Sequence, residues 1–191
     1  MLVHAWMKLG AEIPLKIVGD GPLRGELEAC VSSSQNCNVS FLGSRPRDEV
    51  LSLMKKTRLF VSPTECYEGF PMTTVEALAC GAPIMASRLG AVKELLRENE
   101  IGFFFPPGDA DALADKVRSV WNQTDSLRRV SDLARGEFEL KYTGEQNHAR
   151  LLEILGAIKS GERPKAEAPA SEMCEEQIQG ATANANSTIK S

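Results

Sequence analysis

The chain has 191 residues, of which 42% are hydrophobic and 25% charged, a composition typical of a globular protein with one domain rather than two. Its 22 basic and 26 acidic residues give a formal net charge of −4, so no broad electrostatic attraction favours nucleic acid or anionic lipid. No apolar run approaches the roughly 20 residues that cross a bilayer, and the start lacks a signal-peptide pattern. We expect a cytoplasmic protein without a transmembrane segment, whereas peripheral membrane contact stays open.

Short apolar runs alternate with stretches of helical spacing along most of the chain. It opens in an amphipathic helix, with apolar residues at Leu2, Ala5, Trp6 and Leu9. The predicted strands are Leu15–Gly19, Val39–Gly43, Leu59–Pro63, Pro83–Ser87 and Ile101–Phe105. The predicted helices between them are Leu23–Ser33, Arg47–Lys55, Thr74–Cys80 and Ala91–Arg97. This alternation predicts an α/β fold with a doubly wound parallel sheet.

The pattern changes after Pro107-Gly108-Asp109, where the strand signal stops. Helices are predicted at Ala110–Trp121, around Leu127–Glu139 and at Gln146–Ile158. From Gly161 onward the chain has almost no large apolar residues, so it cannot bury enough surface to offset its ordering entropy. We therefore predict three parts: an α/β domain over residues 1–122, C-terminal helices over 123–160 and a disordered tail over 161–191.

The turn Gly19-Asp20-Gly21-Pro22 follows a predicted strand and opens a helix. Backbone N–H groups and the helix dipole can hold phosphate at such a place. Glycine also suits any sharp bend, however, and proline suits the first position of a helix without any ligand. The three-glycine dinucleotide fingerprint is absent, so the turn alone favours the structural interpretation.

The densest cluster of candidate functional residues is SPTECYEGFPMTTVEALACG, from Ser62 to Gly81. It leaves the carboxyl end of a predicted strand, where ligands collect in open α/β sheets. Glu68 and Glu76 flank the start of the next helix, and their carboxylates can accept hydrogen bonds from a polyhydroxyl ligand while free N–H groups face its phosphates. The alternative is a capping box of Thr73 and Glu76, which the spacing alone favours.

Other reactive side chains form no recognisable site. The two histidines, His4 and His148, lie in no cluster with metal-ligand spacing, and the five cysteines include no CxxC pair. No G-x-S-x-G elbow is present either. We therefore expect a reducing compartment and no metal site built from cysteine or histidine.

Taken together, the sequence resembles the second, nucleotide-sugar-binding domain of retaining GT-B glycosyltransferases, the glycosyl transferases group 1 family (family 4-like). The resemblance covers roughly Leu2 to Val120. The blocks that carry it, in the family's order, are LKIVGDGPLRGELE, NVSFLG, LFVSPTECYEGFPMTTVEALACGAPIMAS, GAVKELL and IGFFFPPGDADALADKV. Glu68-x7-Glu76 is similar to the family's paired-glutamate (EX7E) motif. The resemblance implies that residues 1–122 form a partial nucleotide-sugar-binding domain with a Rossmann-like sheet.

The resemblance also implies roles for individual residues. Glu68 would contact a hydroxyl of the donor sugar as the catalytic residue of this half of the site, and Glu76 would bind the ribose hydroxyls. The backbone N–H groups expected to meet the sugar and the diphosphate are those of Gly69, Phe70, Met72 and Thr73. The residues expected to border the nucleotide and its base are Gly19, Gly21, Ser44 and Arg45.

The reaction implied is transfer of a hexosyl group from a nucleoside diphosphate donor to an acceptor, with retention of the anomeric configuration. No metal or other cofactor is expected, because N–H dipoles and cations would stabilise the charge of the leaving group. The implied partners are a nucleotide sugar and either an acceptor-binding domain or a separate acceptor-binding subunit, not nucleic acid.

The chain departs from the family at its amino end. It carries no acceptor domain and no preceding strand and loop with the family's Arg and Lys for the diphosphate. In the 3-2-1-4-5-6 order that strand is central, between Leu15–Gly19 and Leu59–Pro63. We therefore expect a chain truncated at its N-terminus, without transfer activity alone, which is either marginally stable or pairs its two sheet halves directly. We also expect an exposed stripe at Leu151, Leu155 and Ile158.

Two other functions stay open from the sequence. The chain could serve as a non-catalytic donor-binding subunit or interaction module that needs a partner chain. It could also be a scaffold in which the two glutamates only cap a helix.

Overall fold

The computed structural model describes residues 1–34 and 36–161 and contains alternating strands and helices. The strands are β1 (Leu15–Val18), β2 (Val39–Gly43), β3 (Phe60–Ser62), β4 (Ile84–Ser87) and β5 (Gly102–Phe105). The helices are α1 (Leu2–Leu9), α2 (Arg24–Ser32), α3 (Arg47–Lys56), α4 (Met72–Ala79), α5 (Val92–Leu95), α6 (Ala110–Trp121), α7 (Thr124–Lys141) and α8 (Gly144–Ser160). Each predicted strand and helix is found: β2 and α6 have the predicted ends, and the ends of the other elements differ by at most three residues.

The strands form two parallel sheets, which confirms the predicted α/β class. β1 pairs with β2, and β4 lies between β3 and β5. These neighbours agree with the 3-2-1-4-5-6 order. Within the described residues the two sheets are not hydrogen-bonded to each other, so the expectation that the sheet halves pair directly is wrong.

Side-chain packing, rather than strand pairing, joins the two sheets. One buried cluster contains Leu15 of β1, Phe103 of β5 and Trp6 of α1. Because residues from both sheets bury their side chains in this common core, the halves are held together while β1 and β3 each have one strand neighbour. Open strand edges reduce stability, so marginal stability stays a prediction.

A second buried cluster fixes helix α4 against the three-stranded sheet. Val75, Ala77 and Leu78 on one face of α4 pack with Ile84 of β4 and Phe104 of β5. Apart from the buried side chain of Thr74, this face is apolar, and it is nearly inaccessible to water. The packing sets the position of the amino end of α4 next to the carboxyl end of β3.

The described chain divides into a compact unit at Met1–Thr143 and a second unit that starts at Gly144. Helix α8 of the second unit has an exposed apolar stripe at Leu151, Leu155 and Ile158, as predicted. The predicted tail over 161–191 lies outside the described residues except for Gly161, and the other predicted domain boundaries stay predictions. No helix in the described part of the chain has the length and apolarity to cross a membrane.

Candidate functional site

The site is built around the loop of residues 63–71, which connects the carboxyl end of β3 to the amino end of α4. Helix α4 starts at Met72, earlier than predicted, because the carbonyl oxygen of Pro71 accepts hydrogen bonds from the N–H groups of Thr74 at 3.0 Å and Val75 at 3.3 Å. No side chain of the described residues caps this helix. Thr73 therefore lies inside α4 rather than at its N-cap, and the capping-box interpretation of Thr73 and Glu76 is wrong.

Four backbone N–H groups at this turn have no internal acceptor. Those of Gly69, Phe70, Met72 and Thr73 donate to no atom in the described part of the chain. The last two open helix α4, where aligned peptide dipoles create a partial positive charge. This arrangement suits an anion such as a diphosphate.

Glu76 lies one turn into α4 and is bound by an arginine that the sequence prediction did not include. Nε and Nη2 of Arg47, in the first turn of α3, donate to Oε1 of Glu76 at 3.0 and 2.8 Å. These bonds raise the pKa of the Arg47 guanidinium. The carboxylate is 22% exposed, and the arginine side chain is 73% exposed. Arg47 stands 29 residues before Glu76, so no local sequence pattern links the two.

Glu68 lies in the exposed loop, and its carboxylate has no hydrogen bond or ion pair with the described residues. The backbone of Glu68 lies close to the turn that contains Gly90. A Cβ built on Gly90, whose φ is +56°, would lie 3.6 Å from the carbonyl oxygen of Glu68 and 3.4 Å from Cδ1 of Tyr67. Glycine at this position thus allows the two turns to approach and supports the loop that carries Glu68.

Apolar side chains stand beside the polar groups of the loop. Phe70 and Met72 are both more than half exposed. The Phe70 ring lies 6.4 Å from that of Tyr142, between ring centroids, in a tilted arrangement. Such exposed rings and thioethers can cover the apolar faces of a bound ligand.

Gly19 and Gly21 lie in a second turn, at the carboxyl end of β1. Gly19 has a φ of +125°, and its N–H donates to the carbonyl oxygen of Gly43 at 2.9 Å. Gly21 donates to Oδ1 of Asp20 at 2.9 Å. The turn lines a cavity of about 330 Å³, whose apolar wall includes Phe41.

Ser44 and Arg45 follow Gly43 and are exposed. Arg45 pairs with Glu49 at 3.8 Å, one turn along α3, and lines a separate cavity of about 250 Å³. The predicted site residues therefore fall into two groups, one around residues 63–76 and one around the turns after β1 and β2. The Arg47–Glu76 pair connects these groups, because α3 follows the second of those turns.

The described residues bring together no set of three His, Cys, Asp or Glu side chains that could hold a metal ion. The expectation of donor binding without a metal or other cofactor stays a prediction.

Comparison with known proteins identifies relatives of the chain. The profile of a family described as "Glycosyl transferases group 1" matches residues 1–123. The chain is 34% identical over 150 residues to the phosphatidyl-myo-inositol mannosyltransferase of Mycobacterium leprae, covering 77% of this chain and 38% of that protein. It is 30% identical over 131 residues to an uncharacterized glycosyltransferase of Methanocaldococcus jannaschii, covering 69% of this chain and 37% of that protein.

A solved structure shares the fold. HepE of Anabaena, determined in complex with UDP and glucose, superposes with a TM-score of 0.73 at 23% identity, covering 82% of this chain and 44% of that one. The chain spans little more than a third of the length of the Mycobacterium leprae and Methanocaldococcus jannaschii relatives.

Proposed function

The chain belongs to the glycosyl transferases group 1 family, and on this basis we propose that it forms the donor-binding half of a retaining hexosyltransferase. One observation carries the proposal: between Glu68 and Glu76 in the chain lie four backbone N–H groups that donate to no atom of the described residues. A nucleotide sugar needs this combination, because its diphosphate accepts hydrogen bonds and its sugars donate them. The UDP and glucose bound to HepE and the mannosyl activity in the name of the Mycobacterium leprae relative support a hexosyl donor.

Each part of the proposed site has a separate task. The N–H groups of Met72 and Thr73 bind the diphosphate, and those of Gly69 and Phe70 contact the sugar. Glu76 accepts hydrogen bonds from the ribose hydroxyls, and Glu68 accepts one from a hydroxyl of the donor sugar. Both carboxylates orient the donor through charge-assisted hydrogen bonds, which are stronger than bonds between neutral groups.

The second turn completes the nucleotide site. We propose that Gly19 and Gly21 border the nucleotide and that Ser44 and Arg45 lie near its base. Their turns stand at the carboxyl ends of β1 and β2, where open α/β sheets bind ligands. The cavity of about 330 Å³ beside Gly19 gives space and an apolar wall for a ring at this end of the site.

Transfer breaks the bond between the anomeric carbon and the diphosphate, and the bonding electrons leave with the nucleoside diphosphate. N–H dipoles already oriented at the diphosphate stabilise this developing charge without reorganisation. An acceptor hydroxyl then forms the new bond on the same face of the sugar and gives its proton to an oxygen of the departing diphosphate. We propose that a further domain or a separate subunit binds the acceptor, so that this chain alone binds donor without transferring it.

Titration with UDP and GDP, followed by the amide signals of the 15N-labelled chain, tests the proposal. We expect at least one nucleotide to shift the amides of Gly69, Phe70, Met72 and Thr73. Glu76→Gln is expected to weaken this binding about tenfold, since a hydrogen bond to a charged group contributes about 1.5 kcal/mol or more.

The matched control is Glu139→Gln, which removes a carboxylate that also pairs with an arginine, Arg135, at 2.7 Å on α7. It should bind the nucleotide as the unmodified chain does. Unchanged loop amides at saturating UDP and GDP, or equal affinities of the two variants, would contradict the proposal.

A further inference from the structure

Arg47 and Glu76 form the contact that connects the two groups of site residues. Nε and Nη2 of Arg47, on α3, both donate to the same oxygen of Glu76 on α4, Oε1. The other oxygen, Oε2, accepts no hydrogen bond from the described residues. The carboxylate is therefore held at one oxygen and open at the other.

This geometry restricts a side chain that would otherwise rotate. A glutamate has three side-chain torsions, and fixing such a side chain at the moment of binding reduces affinity. The bonds from α3 fix the carboxylate before any ligand arrives. Arg45, two residues earlier, pairs with Glu49 instead and does not compete for Glu76.

The contact has little structural reason to exist. Arg47 is 73% exposed, and exposed ion pairs contribute little to the stability of a fold. Glu76 does not cap α4, whose amino end has no side-chain cap among the described residues. The pair is thus better explained by the ligand that Glu76 binds than by folding.

We propose that Arg47 is a positioning residue for the donor: by holding Oε1 of Glu76, it directs Oε2 at the ribose hydroxyls and makes binding selective for ribose. The inference rests on the proposed function, since it gives Glu76 the ribose as its ligand. Arg47 itself touches no hydroxyl in this arrangement. Its contribution is therefore measured by comparing nucleotides that have and that lack the hydroxyls bound by Glu76.

The experiment compares nucleotides with and without those hydroxyls. Whichever of UDP and GDP binds the unmodified chain is titrated together with its 2′,3′-dideoxy analogue, and the ratio of the two dissociation constants is the ribose selectivity. Arg47→Ala is expected to reduce this selectivity about fivefold, comparable to the cost of ordering one long side chain. Arg47→Lys, which can still donate to Oε1, should restore part of it.

Two further variants isolate the effect. Arg128→Ala removes an equally exposed arginine, at 72%, whose partner Asp125 lies 3.8 Å away on α7, and should leave selectivity unchanged. In a Glu76→Ala background, Arg47→Ala should change selectivity no further, because no side-chain oxygen remains for Arg47 to hold. Unchanged melting temperatures would confirm that the Arg47 variants are folded.

Three results would overturn the inference. If Arg47→Ala weakens both nucleotides equally, the arginine acts by its charge on the phosphates and not through Glu76. If it strengthens nucleotide binding, Arg47 competes with the ribose for the carboxylate. If neither UDP nor GDP binds the unmodified chain at all, the proposed function fails and this inference fails with it, a result distinct from the first two.

Discussion

Replacing Gly102 with alanine is expected to lower the free energy of unfolding by about 3 kcal/mol, since strand β5 has no room for a side chain there. A Cβ at this position would lie 2.8 Å from the carbonyl oxygen of Ile84 and 3.2 Å from Cδ1 of Leu96. The Ile84 oxygen is backbone of the adjacent strand β4, so it cannot rotate away as a side chain could. The strands must shift within a closely packed core. Urea unfolding followed by circular dichroism measures the effect.

The same substitution at Gly136 is the control, because this glycine lies within helix α7 and a Cβ there would meet nothing within 4 Å. Gly136→Ala should raise stability by about 0.5–1 kcal/mol, the usual gain in a helix interior. If Gly102→Ala is as stable as the unmodified chain, the close approach of β4 and β5 is not as described.

Replacing Arg97 with alanine is expected to cost about 2 kcal/mol, because it removes one partner of a buried carboxylate. Glu137 on α7 is only 8% exposed, and it accepts hydrogen bonds from Nη1 and Nη2 of Arg97 at 3.3 and 3.2 Å. Lys141 pairs with Glu137 at 2.8 Å. In the variant this lysine still offsets part of the cost of burying the carboxylate. Arg128→Ala, at an exposed pair, should change stability by less than about 0.5 kcal/mol. Equal losses in the two variants would show that burial does not matter here.

The same cluster predicts how stability depends on pH. Burial alone raises the pKa of Glu137, but hydrogen bonds from Lys141 and Arg97 outweigh it and hold that pKa below its ordinary value. A carboxyl whose pKa is lower in the folded chain stabilises the fold above its unfolded pKa of about 4.3, and this stabilisation is lost as the pH falls through the folded pKa. Melting temperatures from neutral pH to about pH 3 should therefore fall less steeply for Glu137→Gln. Parallel curves would contradict this role of Glu137.

The helices and strands could be predicted from the sequence because the residue patterns that identify them are local. Runs such as IGFFF and LKIV are apolar, rich in aromatic and branched residues and bounded by glycine or proline. Element ends depended on contacts that composition does not reveal: α4 begins at Met72 because the Pro71 carbonyl oxygen accepts two N–H groups. Pairing between the two sheet halves is a long-range property, and on that question the sequence prediction was wrong in one of its alternatives.

The candidate site was predictable in part for the same reason. The spacing of Glu68 and Glu76 around a strand-to-helix loop is a local pattern, and the loop lies where α/β folds bind ligands. The same spacing also favoured a capping box, which the helix start excludes. Arg47 could not be found from sequence, because its contact with Glu76 depends on how α3 packs beside α4.

A crystal structure of the chain with a bound nucleotide sugar, either UDP-glucose or GDP-mannose, would show directly whether the loop of residues 63–71 binds the donor. We expect the diphosphate within about 3 Å of the N–H groups of Met72 and Thr73, the ribose hydroxyls on Glu76 and the sugar beside Glu68. A nucleotide bound elsewhere, with the loop of residues 63–71 unoccupied, would contradict this expectation.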